Sequence, residues 1–144
     1  MKRASDLSMI DVVLRWYEPD EEDWDEARCV YAYLDPKTRK IIYVGKADDS
    51  SPRERWNGHQ ADGLFEFFKI DLGLEEWDTI FGEVEEMQGM SSLSFELLLD
   101  IETLLIWHVR PPGNVQIGEP KRPGLRVTCE SEWPMKKDVF CDPG

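Results

Sequence analysis

Residues 29–34 (CVYAYL) and 40–45 (KIIYVG) are two short aromatic and β-branched runs on either side of Asp-Pro-Lys-Thr-Arg. Such side chains suit the pleated, half-buried surface of a sheet, and a polar break of five residues containing proline is a turn. The pair predicts a hairpin, and the rest of the chain must pack around it. Period-two alternation puts Tyr31 and Tyr33 on one face of the first strand. Eleven residues separate Tyr31 from Tyr43, and Lys46 directly follows the second run.

Other elements can be read from local pattern. Residues 93–109 (LSFELLLDIETLLIWHV) carry apolar side chains at helical spacing, so Leu97, Leu98, Ile101, Leu104 and Leu105 should face a core. Pro111-Pro112-Gly113 should end that helix. Ser51 and Pro52 predict the cap and first position of another helix. Residues 5–17 (SDLSMIDVVLRWY) read as an amphipathic helix through Leu7, Ile10, Val13, Leu14 and Tyr17, with Ser5 or Asp6 as its cap. Residues 63–76 read as a broken helix, 77–87 as a third strand and 125–129 as a short strand. The expected fold is a single α/β (α+β) domain over residues 1–144, with a small three-stranded antiparallel sheet flanked by helices. Residues 1–28 would add an N-terminal helix and acidic segment, and residues 116–144 a C-terminal extension.

Charge restricts the partners. The net charge is −13 in 144 residues, whereas affinity for nucleic acid comes largely from Lys and Arg displacing counterions. The distribution is uneven. Residues 1–28 hold four basic and nine acidic side chains, a balance of −5; residues 29–62 hold six and five, a balance of +1; residues 63–144 hold seven and sixteen, a balance of −9. The single stretch that is not acidic carries the tyrosine hairpin. Screening over roughly 8 Å at physiological salt lets a local patch act against an opposing net charge. Cys29, Cys129 and Cys141 have neither zinc-type nor disulfide-framework spacing. No apolar run reaches membrane-span length and MKRASDLSMID has no apolar signal core, so the expectation is a cytoplasmic protein without a membrane partner.

Arg55 and His59 lie one helical turn apart, Glu102 interrupts the apolar helix, and Asn114 follows its end. In this order the residues resemble the GIY-YIG nuclease family. Cys29-Val30-Tyr31 and Tyr43-Val44-Gly45 are similar to its paired tripeptides, with Cys29 in place of the first glycine. Lys46, Arg55, His59, Glu102 and Asn114 are similar to the family's lysine, arginine, His-or-Tyr, glutamate and asparagine. The likeness covers about residues 29–115. Arg53 competes with Arg55, because the preceding loop is about two residues longer than in many members; Tyr33 competes less well with Tyr31.

The resemblance implies a metal-dependent endonuclease cutting DNA by water attack at a one-metal site, with RNA as a further candidate substrate. Glu102 would hold Mg²⁺ or Mn²⁺, since a magnesium site with one carboxylate keeps much of its hydration. Arg55 would clamp the phosphate with its planar fork of donors. Tyr31 would act as base or base relay; a free phenol has a pKa of about 10 and needs a cation to ionise at neutral pH. Lys46 would supply such charge, Tyr43 would position water or phosphate, His59 would move a proton or bond the phosphate, and Asn114 would tie the site together. Two further readings stand beside this one. The acidic surface suits a non-cutting interaction module or a subunit that reaches nucleic acid only through a basic partner, whereas cutting both strands with one small site would favour a homodimer or sequential nicking. A toxin or defence effector would keep the chemistry and change the target. His108 and the six tryptophans read as packing.

Overall fold

The computed structural model describes residues 9–144. Its elements are β1 (Ile10–Tyr17), α1 (Asp23–Glu26), β2 (Cys29–Leu34), β3 (Ile41–Ala47), α2 (Pro52–Asp62), α3 (Leu64–Ile70), β4 (Asp78–Gln88), α4 (Phe95–Val109), β5 (Leu125–Ser131) and β6 (Val139–Cys141). The six strands form one sheet in the order β3-β2-β4-β1-β5-β6. Every pairing is antiparallel except β1 with β5. This α+β fold corrects the expected three-stranded sheet: β2, β3 and β4 are present, but as half of a sheet twice that size.

The correction turns on residues 10–17. Within the described residues this segment is a strand, not a helix; the proposed cap and Leu7 lie outside them. Ile10, Val12, Leu14 and Trp16 are buried and alternate with more exposed neighbours, which is the two-residue period of a sheet. Ile10 and Leu14 fit both periods, so this short run is ambiguous by pattern. Pairing decides it: β1 lies between β4 and β5 and both of its edges are hydrogen-bonded. The parallel partner, residues 125–131, is separated from it by most of the chain.

The sheet has two packed faces. On one, α4 buries Leu97, Leu98, Ile101, Leu104 and Leu105 against Val30, Ala32 and Leu34 of β2 and against β1. Each fully covered leucine contributes roughly 1.5–3 kcal/mol. On the other, α2 and α3 cover Tyr31, Tyr33 and Phe81, with Phe65 and Phe68 as the largest contributors from α3. The alternation along β2 therefore sends its tyrosines to the α2 face and its aliphatic residues to the α4 face.

Local signals set the helix ends. Ser51 accepts a hydrogen bond from the Glu54 N–H at 3.1 Å, and the Glu54 side chain accepts one from the Ser51 N–H at 3.1 Å, a reciprocal capping box that starts α2 beside Pro52. Gly63, at φ 94°, ends α2 and opens α3. Ser94 caps α4 by accepting from the Leu97 N–H at 3.1 Å. Arg110 closes α4 in the left-handed region, one residue before the Pro-Pro-Gly turn.

Candidate functional site

The edge strand β3 is the axis of the site. Its outer edge is not left open. The Gly113 N–H donates to the Ile42 carbonyl at 2.8 Å. The Asn114 side chain accepts from the Val44 N–H and donates to the Val44 carbonyl, both at 2.9 Å. The amide thus copies one residue of a neighbouring strand and satisfies both backbone groups of Val44. A Cβ on Gly113 would stand 2.5 Å from the Ile42 carbonyl oxygen, so the close approach requires glycine.

Tyr31 pairs with Gly45 across the hairpin. Its ring lies over the glycine, where an added Cβ would meet the Tyr31 Cζ and hydroxyl at 2.5 Å. The bare Cα of Gly45 is what lets the phenol reach α2, and there its hydroxyl contacts His59 Nε2 at 2.6 Å. His59 is 4 % exposed, and its Nδ1 faces the Asp62 carboxylate at 3.7 Å. An N–H on Nδ1 toward that carboxylate leaves Nε2 as acceptor, so the Tyr31 hydroxyl donates. Burial, and then the nearby Arg55 charge, pull the His59 pKa below its ordinary 6.5, so the ring is neutral at pH 7. Tyr43 stands edge-on to His59 at a centroid distance of 4.9 Å.

Burial also raises the pKa of Tyr31, with Tyr43 adding to the rise and Arg55 opposing it. Tyr43 is raised by burial and by Glu102, again against Arg55. Both phenols therefore hold their protons at neutral pH in the protein alone. Tyr33 has a different setting. Its hydroxyl is buried with no hydrogen-bond partner among the described residues, and its ring packs against Trp56, Phe65 and Phe68. It is a core residue, whereas Tyr31 has a proton acceptor.

Glu102 approaches from α4, on the other side of β3. With Lys46, Arg55, Phe95, Asp48 and Asp49 it lines a cavity of about 370 Å³, in which Asp48 is paired to Arg28. A second cavity of the same size is bounded by Tyr43, Arg55 and His59. Arg55 borders both and joins the two halves of the site. Burial raises the Glu102 carboxyl from 4.5 to about 7, although Lys46 and Arg55 each act to lower it. The Lys46 ammonium lies 4.5 Å from the Phe95 ring centre, a cation–π contact that holds it near the cavity.

All seven sequence-predicted residues, Tyr31, Tyr43, Lys46, Arg55, His59, Glu102 and Asn114, thus gather around one strand. The rival Arg53 is turned away: it bonds Asp25 at 2.7 Å and Glu21 at 2.6 Å. His108 contacts the Cys141 carbonyl at 2.9 Å and has no place in the site. Sequence reasoning missed Asp62 and Phe95. Asp62 could have been found, because it lies three positions beyond His59 on one helix. Phe95 gave no signal.

Asp48 and Asp49 share the cavity with Glu102, but no group of three or more His, Cys, Asp or Glu side chains among the described residues could enclose a metal ion. This donor set does not suit zinc or calcium, which take several protein ligands. It fits magnesium, which is commonly held by one or two carboxylates plus water and phosphate. No helix among the described residues is long and apolar enough to cross a membrane. Comparison with models of known protein families, with curated proteins and with solved structures finds no match to this chain.

Proposed function

We propose that the protein is a metal-dependent endonuclease acting on DNA, with water as the nucleophile. The observation that carries this reading is the Tyr31–His59 hydrogen bond beside cavities that share Arg55 and include Glu102. A phosphodiesterase needs a route for the water's proton, a cation for the phosphoryl oxygens and an anchor for a divalent ion, and these residues supply each.

The burial of Tyr31 argues for a relay and against a standing phenolate. Water gives a proton to the Tyr31 oxygen as Tyr31 passes its own to His59 Nε2, so no free phenolate accumulates. The resulting imidazolium faces the Asp62 carboxylate, which favours its charge. Arg55 neutralises charge on the phosphoryl oxygens, and Tyr43 orients the attacking water or the phosphate. Lys46 adds a second positive charge to Arg55 beside the phosphate, against the carboxylates of Asp48 and Asp49 in the same cavity. Glu102 would hold Mg²⁺ or Mn²⁺, which when bound supplies Lewis-acid stabilisation of the phosphate and of the leaving 3′ oxygen.

The test is cleavage of plasmid, branched and single-stranded DNA, and of RNA, in Mg²⁺ or Mn²⁺, with Glu102→Ala alongside. Metal-dependent cutting lost in the variant is the expected result. Equal cutting by the variant would remove Glu102 from the metal role, and cleavage of RNA alone would change the substrate. The net charge of −13 favours a second reading, in which the chain reaches nucleic acid only through a basic protein. Copurification of such a partner, with no cleavage by the isolated chain in either metal, would support that reading.

A further inference from the structure

The opposite side of α2 borders a larger cavity, of about 590 Å³. At about 100° per residue, Arg53, Trp56 and Asn57 share one face of α2, while Arg55 and His59 share another. Trp24 of α1, Trp56 of α2 and Trp77, just before β4, all line this cavity and all stay partly exposed. Trp24 and Trp56 stand nearly perpendicular, with ring centres 5.5 Å apart; Trp56 and Trp77 are 6.2 Å apart at 35°. All three rings pack against the aromatic core on one side and keep some surface open to the cavity, while the Trp77 Nε1 itself is buried without a partner among the described residues. By contrast, Trp16 and Trp133 pack together in the core at 5.0 Å.

The remaining wall is acidic. Glu18, Glu21 and Asp78 line the cavity against one cation, Arg53. Asp78 is paired to Arg39 at 3.2 Å, and Glu18 has no ion-pair partner among the described residues. The wall already holds one guanidinium: Arg53 bonds Glu21 there, and Asp25 from outside the lining. Indole faces attract cations through their quadrupole, and arginine is the cation that can stack on them while its N–H groups reach carboxylates.

We infer that this cavity docks an arginine side chain from a basic segment of a partner protein. The guanidinium packs in the cavity against the open surfaces of Trp24, Trp56 and Trp77 and bonds the Glu18 carboxylate. The net charge of −13 adds long-range attraction for such a partner. The acidic segment before β2, held to α2 by Arg53, then forms one side of a binding site and is more than a solvated loop. This inference does not depend on the nuclease reading, and its test does not involve cleavage.

The experiment follows the side-chain indole N–H signals of the six tryptophans by NMR as a synthetic peptide of alternating arginine and glycine is added. Trp24, Trp56 and Trp77 are expected to move saturably while Trp16, Trp107 and Trp133 stay in place. Trp24→Ala, its folded spectrum retained, should weaken binding about tenfold, and Glu130→Gln with Glu132→Gln should leave it unchanged. All six signals moving together, none moving, or equal binding by Trp24→Ala would each overturn the proposal. Equal binding of the matching lysine peptide would indicate bulk charge attraction and also overturn it. So would movement with tetramethylammonium but not with the arginine peptide, which would reassign the cavity to small ammonium ligands.

Discussion

Glu102→Gln should stabilise the metal-free protein, and the gain should depend on pH in one direction. The folded chain holds the Glu102 proton up to about pH 7, whereas an ordinary glutamate loses it near 4.5. Below 4.5 the carboxyl is neutral in both states and costs nothing. Between 4.5 and 7 folding requires uptake of a proton, so the stability contributed by the neutral acid is lost as pH rises. Above 7 the carboxylate is ionised in both states and the loss is complete. The rise from 4.5 to about 7 amounts to about 3 kcal/mol. Glutamine keeps the shape and is neutral at every pH. Urea denaturation in EDTA at pH 4.5, 6 and 8 should therefore show no gap, then an intermediate gap, then one of about 3 kcal/mol in favour of the variant. A gap that does not change with pH would refute the burial argument. Added Mg²⁺ at pH 8 should raise the midpoint of the wild type and leave that of the variant unchanged; at a hundred times its dissociation constant a ligand contributes about 2.7 kcal/mol. A residue that destabilises the fold when ionised and is stabilised by a ligand is the pattern expected where function opposes stability.

Three further predictions rest on contacts. Gly45→Ala places a Cβ within 2.5 Å of the packed Tyr31 ring; it should cost about 1–3 kcal/mol in urea denaturation and break the Tyr31–His59 contact, visible in the His59 ring signals. Asn114→Ala removes both side-chain hydrogen bonds to Val44; a loss of about 1–3 kcal/mol is expected, with faster hydrogen exchange at the Val44 N–H, and unchanged exchange there would show that Asn114 does not secure the edge. Arg55→Ala should lower cleavage about 10²–10³-fold, as loss of an electrostatic clamp does, while Arg53→Ala, which breaks only the pairs to Glu21 and Asp25, should leave it within a few-fold.

Local patterns translated directly into local structure. The two aromatic runs became β2 and β3, the Ser51-Pro52 pair became a capped helix start, and the apolar stripe of residues 93–109 became α4 with all five expected core residues buried. These signals act over a few residues, so their energetics are complete within the segment that carries them. The spacing of Tyr31, Tyr43, Arg55, His59, Glu102 and Asn114 was also legible, and the fold brings those residues together. The identity of β1 was not. Residues 10–17 satisfy helical and strand periods at once, and the hydrogen bonds that settle the matter come from β4 and from β5, the latter over a hundred residues away.

By itself, then, the sequence determined which residues are candidates for chemistry and which short segments are helix or hairpin. Only the tertiary structure decided the six-stranded sheet, the pairing of Arg53 with Glu21 and Asp25, and the raised pKa of Tyr31 and of Glu102. Those three depend on burial and on partners distant in the chain. Spacing sets which atoms are available, whereas the environment that shifts a proton or pairs an arginine exists only once the layers have closed.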